Sequence, residues 1–378
     1  MLTNTMDNEI KIMSDFDSAE DLKLIPKSEY RSVLRKYLSN KDFQPDKKDL
    51  LHYFIFMPVY LIGIYSILSA SLLPVKILIS LCMGISLAAL TFFLHDLMHG
   101  AIIKSKKITY IVGLSVGILN LFAPLFWQRI HNYHHAKTAS EDDPDRMYKW
   151  NERPINAFEK FVYKSRVSSN AYNNFFSFIG MSFGFFWYYS VMFYALLQNK
   201  VGFKKAIQYK GINKLFKTKE VFIVLGELLL IVAFQGFLFT FVARNNPLTF
   251  FLISLLPVLI AHFTAMLYIH TNHFLSPLTN DIDDPLINSL SLKNSWFVDK
   301  IFSNFSHHVE HHLFPAMSSS NYPKVRKLLL EFYPNRFQLI SMLDAVKLLC
   351  TTPRIYGDNI HLVNYDGRKK ASCLLPKA

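Results

Sequence analysis

Four long apolar runs dominate the hydrophobic pattern of the chain. They are Leu51–Val75, Ile77–Leu94, Val221–Ala243 and Leu248–His270. Each is near the length of about 20 residues that a helix needs to cross a bilayer. Short connections at Lys76, near Pro74, and at Arg244–Pro247 join these runs into two helical hairpins, so both ends of a hairpin emerge on one side of the membrane. The pattern predicts an all-α, multi-pass integral membrane protein with four transmembrane helices, interfacial helices and a His-rich cytosolic cap.

Polar segments flank the membrane region and set the predicted domain boundaries. Residues 1–50 are expected to form a cytosolic N-terminal tail, residues 51–350 the membrane domain with its cap, and residues 351–378 a C-terminal tail. The first tail is either helical near Ser28–Leu38 or a disordered leader. Met1–Ile10 lacks the apolar core of a signal peptide, so both termini are expected in the cytosol. In the cap, Pro323–Phe332 carries an apolar stripe that is typical of a helix packed on a core.

Composition supports the membrane assignment and limits the possible partners. Hydrophobic residues make up 51% of the chain and charged residues only 18%, while the formal net charge is +13. The basic residues gather beside apolar segments and form no aromatic-interleaved patch, so nucleic acid is not an expected partner. They instead indicate cytosolic loops facing an anionic lipid surface. Cys82, Cys350 and Cys373 are isolated from one another and from any histidine cluster, which is typical of reduced, non-ligating thiols.

Three histidine clusters recur along the chain at helical spacing. The first is His95 and His99, the second is His131, His134 and His135, and the third is His308, His311 and His312. On a helix, residues three and four apart lie on one face, so each cluster presents its imidazoles in one direction. The three clusters hold eight of the fourteen histidines, which favours a metal site over eight unrelated side chains.

A single centre requires the three clusters to lie on one side of the membrane. The uncharged segment Ile108–Gln128 stands between the first two clusters and would separate them if it crossed. Its Pro124 and its polar residues favour a segment that dips into the membrane and returns. The aromatic segment Asn170–Asn199 is expected to be interfacial for the same reason.

Neutral imidazole is a ligand for Fe, Zn and Cu, and eight or nine imidazoles exceed what one ion can bind, so two metal ions are expected. The absence of cysteine ligands argues against a structural zinc site. His273, at the end of the last span, is the favoured ninth ligand, with His270 as the alternative. Carboxylates that can accept the second N–H of a ligating histidine are available, each of which is otherwise a solvated surface charge. They are Asp96, Glu310 and the group Asp142, Asp143 and Asp145.

Two ionisable residues lie inside the second predicted hairpin. Glu227 is 18 positions before Asn245 and His262 is 17 after it, so antiparallel helices would hold both at similar depth. Ionisable groups within a membrane are costly and usually paired. A Glu227–His262 contact is therefore predicted, and separate solvation of the two groups is the alternative.

The sequence around the clusters resembles the membrane fatty acid desaturases from about residue 50 to residue 335. The matching stretches are HDLMHG, WQRIHNYHHAKT followed by DDPD, and HHVEHHLFPAMSSSNYPKV. The resemblance implies a di-iron centre on the cytosolic face that uses O2 to remove two hydrogens from a long acyl chain. It carries the ligand role over to all eight clustered histidines and to His273, and leaves His307 as a donor beside them.

Front-end acyl desaturases share details of the second and third clusters. Many of them have Gln at the position of His308 and a fused cytochrome b5 domain with the motif HPGG. This chain has His308 and no HPGG, so the resemblance implies a separate electron donor such as cytochrome b5 or ferredoxin.

Two other functions fit parts of the pattern. A membrane hydroxylase or carotenoid ketolase would use similar clusters and insert oxygen. A metal transporter or sensor would need ligands near the middle of the bilayer at broken helices, whereas these clusters lie at the ends of spans and beyond.

Overall fold

The computed structural model describes residues 22–140, 143–144, 175, 177–184, 186, 193, 196, 215–280, 282–353, 355–364 and 370–376. The helices are α1 (Lys27–Leu34), α2 (Leu50–Ser69), α3 (Leu73–Met98), α4 (Lys106–Asn120), α5 (Pro124–Lys137), α6 (Thr218–Phe237), α7 (Pro247–Phe250), α8 (Leu256–His273), α9 (Pro285–Asn288), α10 (Trp296–Ile301), α11 (His308–Leu313), α12 (Tyr322–Phe332) and α13 (Met342–Thr351). The strands are β1 (Ser291–Lys293), β2 (Leu339–Ser341), β3 (Ile355–Tyr356), β4 (His361–Val363) and β5 (Lys370–Ser372).

Among the described residues, four helices are long and apolar enough to cross a membrane, which confirms the predicted all-α, multi-pass architecture. They span Lys47–Ser69, Leu73–Met98, Thr218–Val242 and Pro247–His273. The first hairpin turns at residues 70–72, earlier than predicted, and Pro74 lies in the first turn of α3. Proline fits there because the first N–H groups of a helix have no intrahelical partner to lose. A π-helical turn, Phe251–Leu255, joins α7 to α8 and keeps the fourth span continuous.

The segment between the first two histidine clusters is bent, as predicted for one that dips and returns. Helices α4 and α5 meet at 99° across a break of three residues. Leu121 adopts a left-handed conformation with φ of 58°, and Pro124 opens α5. The bend turns the chain so that α5 carries the second cluster back toward the first.

The predicted Glu227–His262 contact is wrong, because each residue binds the bent segment instead. Glu227 Oε2 accepts a hydrogen bond from the backbone N–H of Leu125 at 3.2 Å. His262 Nε2 lies 2.9 Å from the backbone carbonyl oxygen of Asn120. The break in α4–α5 exposes backbone groups inside the membrane region, and these two buried side chains satisfy them.

A cap of short helices and a two-stranded parallel sheet covers one end of the bundle. In the sheet Ser291 pairs with Leu339 and Lys293 with Ser341. Helices α1, α11 and α12 share one apolar core, which buries the following residues. They are Tyr30, Leu34, Val309, Leu313, Val325 and Leu329. The predicted helices near Ser28–Leu38 and over Pro323–Phe332 are both present, and the apolar stripe of α12 faces this core.

An antiparallel sheet of β3, β4 and β5 packs beside the end of the fourth span. The hydroxyl of Tyr356 donates to the carbonyl oxygen of Ser276 at 2.6 Å, just beyond α8. The segment 170–199, predicted to be interfacial, falls largely outside the described residues, as do Asp142 and Asp145.

Candidate metal centre

Four helix segments bring nine histidines together at the cap end of the bundle. His95 lies in the last turn of α3, and His99 is the residue that caps the C-terminal end of that helix. Helix α5 carries the second cluster and α11 carries the third. His273 is the last residue of α8. The ligand nitrogens form two sets that could each hold a metal ion. The first set is His95, His99, His131, His135 and His311; the second is His134, His273 and His312. Within each set the ligand atoms lie within 4.8 Å of one another.

His308 joins the second set through direct nitrogen contacts. Its Nε2 lies 2.7 Å from His273 Nε2 and 3.1 Å from His312 Nε2. The corresponding contacts in the first set link His135 Nε2 to His131 Nε2 at 3.0 Å and to His311 Nε2 at 2.9 Å. All nine predicted ligands therefore lie in the cluster, five in one set and four in the other. His273, rather than His270, is the histidine that α8 contributes.

The prediction that each cluster presents its imidazoles in one direction is wrong for the second and third clusters, because the spacing HxxHH divides the histidines of each helix between the two sets. Residues four apart on a helix differ by about 40° around the axis, whereas the residue at i+3 lies about 60° to the other side. On α5, His131 and His135 face the first set and His134 faces the second. On α11 the arrangement is reversed, because His308 and His312 face the second set and His311 faces the first.

The outer ring nitrogens of several clustered histidines have polar partners. Nδ1 of His95 lies 3.0 Å from Asp96 Oδ1. Nδ1 of His134 lies 2.8 Å from Asp143 Oδ1, and the other oxygen of Asp143 accepts from the N–H of Ala139. A carboxylate acceptor at Nδ1 places the proton there and leaves Nε2 with a lone pair directed into the cluster, as a metal ligand requires.

Two hydroxyl groups contact the outer nitrogens of two histidines on α11. The Tyr322 hydroxyl lies 2.9 Å from His311 Nδ1, and the Thr138 hydroxyl lies 3.3 Å from His312 Nδ1 while donating to the carbonyl of His134. Sequence pattern alone does not single out either hydroxyl. The only available signal is the Asn-Tyr pair that follows the third cluster, which marks the position of Tyr322.

Aromatic side chains enclose the cluster. The indole of Trp127 stacks on His131 with ring centroids 4.5 Å apart, and the ring of Phe305 lies 4.9 Å from His95 and 5.3 Å from His308. Most of the histidines are buried, and burial lowers the pKa of His308, His311 and His312 well below the ordinary value. These imidazoles are neutral at pH 7, which is the protonation state that binds a metal.

Three of the predicted neighbours lie near the cluster but contact other groups. Glu310 accepts hydrogen bonds from Ser291 Oγ and from Arg326 Nε, and so ties α11 to β1 and α12. His307 Nδ1 lies 3.1 Å from the hydroxyl of Ser306. The ring of His270 stacks on Phe274 at 4.3 Å.

Two cationic side chains of α1 bind the C-terminal ends of α5 and α11, the helices that carry the second and third clusters. Lys27 Nζ donates to the carbonyl oxygen of His135 at 3.0 Å and also pairs with Asp283. Arg31 Nε donates to the carbonyl oxygen of Leu313 at 2.5 Å. Both carbonyls lie at the C-terminal ends of α5 and α11, where positive charge is favourable and backbone acceptors lack intrahelical donors.

The donor set fits metal ions better than it fits a hydrogen-bonded network. Nε2 of His95 and Nε2 of His99 are buried and have no hydrogen-bond partner among the described residues. A buried polar atom without a partner costs about 1–3 kcal/mol. Facing imidazoles at about 3 Å can share few protons, whereas a cation between them would satisfy all the lone pairs at once.

Comparison with known proteins agrees with this arrangement. The fatty acid desaturase family model matches residues 70–342, which include all nine histidines. This chain belongs to the fatty acid desaturase family. It is also similar to a fatty acid desaturase of Bacillus subtilis (strain 168), with 24% identity over 201 residues. That alignment covers 52% of this chain and 54% of the Bacillus desaturase, so the chain spans about half of the length of the relative it matches.

Proposed function

We propose that this desaturase-family protein is an O2-dependent fatty acyl desaturase with two non-haem iron ions. The observation that carries the proposal is the convergence of nine imidazoles, six of them buried, in two sets at one end of the spans. His95, His99, His131, His135 and His311 would hold one iron, and His134, His273, His308 and His312 the other. Iron ions held there would supply, with O2, the oxidant that an unactivated C–H bond requires.

The side chains around the cluster fix the ligands and keep water away. Asp96, Asp143, Tyr322 and Thr138 hold the outer nitrogens of four histidines, so the inner nitrogens stay directed at the metal positions. Orientation of this kind typically contributes a factor of 10–100 in metal affinity. Trp127 and Phe305 form apolar walls against the imidazoles, which suits the oxidation of an apolar chain.

The reaction balances only with an electron donor. Desaturation removes two hydrogens from adjacent carbons of the acyl chain, while O2 takes up those hydrogens together with two electrons and two protons to give two molecules of water. We infer that a separate redox protein, such as cytochrome b5 or ferredoxin, provides the electrons. The substrate is a long-chain acyl group, carried by a lipid, by CoA or by a carrier protein, that reaches the centre from membrane lipid.

The loops beside the centre support a cytosolic location. Lys104, Lys106 and Lys107 follow the first cluster directly, and loops rich in lysine and arginine stay cytosolic. The ligands also lie at the ends of α3 and α8 rather than at mid-span, which favours an enzyme over a metal transporter.

The decisive experiment is the fatty acid methyl ester profile of cells that express the protein. A second culture carries His311→Ala with His312→Ala, and a control carries His361→Ala, a histidine paired with Asp358 outside the cluster. A new unsaturated ester with the wild type and the control, absent from the double variant, is the expected result. Hydroxylated or keto lipids in its place would indicate a hydroxylase or ketolase, and the double bond, once located, would give the regiochemistry.

A further inference from the structure

Large apolar side chains are exposed on two neighbouring helices of the cap. Trp296 is 78% exposed and Phe297 is 64% exposed at the start of α10, and Leu343 is 64% exposed at the start of α13. The helices follow β1 and β2, which are parallel and end in register at Lys293 and Ser341. The two helix starts therefore emerge at the same edge of the sheet and form one apolar patch, defined here as Trp296, Phe297 and Leu343.

Contacts of the residues that flank the patch place it at the level of the ends of the spans, and not farther out along the helix axes. The Nε2 of His52, in the first turn of α2, lies 2.7 Å from the carbonyl oxygen of Lys300. Asn294 Nδ2 donates to the hydroxyl of Tyr268 at 2.8 Å. Tyr268 lies five residues before the end of α8, which is about 7.5 Å along the helix axis at 1.5 Å per residue. Helix α10 is thus level with the last turns of the spans.

The apolar surface continues from the patch onto the first span. Ile55 and Val59, three and seven residues after His52 and therefore on the same side of α2 as His52, are exposed where lipid would surround the helix. Lysines border the patch, because Lys293, three residues before α10, and Lys300, in the last turn of α10, are exposed. An aromatic group with basic neighbours is the arrangement found at the boundary between lipid head groups and acyl chains.

We propose that Trp296, Phe297 and Leu343 insert into the cytosolic head-group boundary of the bilayer and anchor the cap to the membrane. The lipid bilayer is favoured over a partner protein because the patch is continuous with the lipid-facing surface of α2. The proposal depends on membrane insertion of the spans and is independent of the reaction that the metal centre performs.

The test uses the full-length wild-type protein in nanodiscs that contain an acyl-chain diazirine phospholipid and some anionic lipid. After photolysis, trypsin releases residues 294–300 with Trp296 and Phe297, and residues 337–347 with Leu343. Residues 328–336 serve as the internal control, because Leu330 is 45% exposed on α12, a helix whose other side packs on the cap core with α1 and α11. Several-fold more lipid label on the two patch peptides than on the control is expected. Equal labelling of residues 294–300 and the control would overturn the proposal.

A depth measurement gives an independent check. A nitroxide on Trp296→Cys, in a background without the three native cysteines, is compared with nitroxides on Lys327→Cys in the cap and on Leu229→Cys in the third span. Collision with O2, which is concentrated in lipid, should exceed collision with a water-soluble nickel chelate at positions 296 and 229. A water-like value at position 296, equal to that at position 327, would contradict the anchor and leave a protein partner as the occupant.

Discussion

The hydroxyl of Tyr322 allows a sharp test of how the cluster would hold the proposed metal ions. Tyr322 is 2% exposed, and its oxygen lies 2.9 Å from His311 Nδ1, while the other nitrogen of His311 faces His135. The geometry implies that His311 carries its proton on Nδ1 and donates it to the tyrosine oxygen. Tyr322→Phe removes one oxygen atom, keeps the ring in its place and leaves that N–H buried without an acceptor.

The expected loss of metal affinity follows from the removal of that hydrogen bond. Leaving a buried donor unsatisfied costs about 1–3 kcal/mol. Because about 1.4 kcal/mol corresponds to a tenfold change in an equilibrium constant, the metal affinity of the first set should fall by roughly 10- to 100-fold. Burial raises the pKa of Tyr322 well above its ordinary value, so the hydroxyl is neutral throughout the accessible pH range and the effect should not depend on pH.

The metal affinity is measured on the purified protein as the retention of iron against a graded series of chelators. Tyr60→Phe is the matched control, because the Tyr60 hydroxyl is also buried and donates to the carbonyl oxygen of Ile253 at 2.9 Å, far along the chain from any clustered histidine. Tyr60→Phe should lower the thermal midpoint without weakening iron retention. If Tyr322→Phe retains iron as tightly as Tyr60→Phe does, His311 is not oriented by this hydroxyl and the reasoning fails.

Three further predictions follow from the same site. Asp143→Asn replaces the acceptor of the His134 Nδ1–H and should reduce bound iron per chain by elemental analysis, whereas unchanged iron would show that this carboxylate is dispensable. Lys27→Met with Arg31→Met removes two hydrogen bonds to helix C-termini and should cost about 1–3 kcal/mol in thermal unfolding; Lys36→Met, at an exposed position, should cost nothing measurable. The metal-free protein should lose stability as the pH falls below about 6.5, because the α11 imidazoles bind protons in the unfolded chain but not when buried; a flat thermal midpoint between about pH 5 and pH 8 would contradict this.

The hydrophobic pattern was sufficient for the membrane architecture because span length and the scarcity of charged residues are local properties of the sequence. The bend between α4 and α5 was also predictable, since three histidine clusters in one centre forbid an odd number of crossings. The Glu227–His262 prediction failed because depth along antiparallel helices does not determine which way a side chain faces. Both residues turn toward backbone groups that the bend leaves unsatisfied, and the sequence contains no direct signal of that need.

The partners of the ligands were harder to predict than the ligands themselves. Asp96 and Asp143 are near their histidines in sequence, so their role could be anticipated from local spacing. Tyr322 reaches His311 only because α12 packs against α11, and Thr138 reaches His312 across 174 positions of sequence. Contacts of that kind depend on tertiary packing, for which periodicity gives no information.

The division of the nine histidines into two sets follows from helix geometry once two helices are known to face each other. In HxxHH the first and last histidines share a direction and the middle one points away, so a helix that lies between two metal positions must serve both. Helices α5 and α11 use the motif in opposite senses, and each supplies two ligands to one set and one to the other. The distance between the two metal positions is therefore set by how these two helices pack. Lys27 and Arg31 of α1, which hold the C-terminal ends of those same helices, contribute to that spacing without contacting either position.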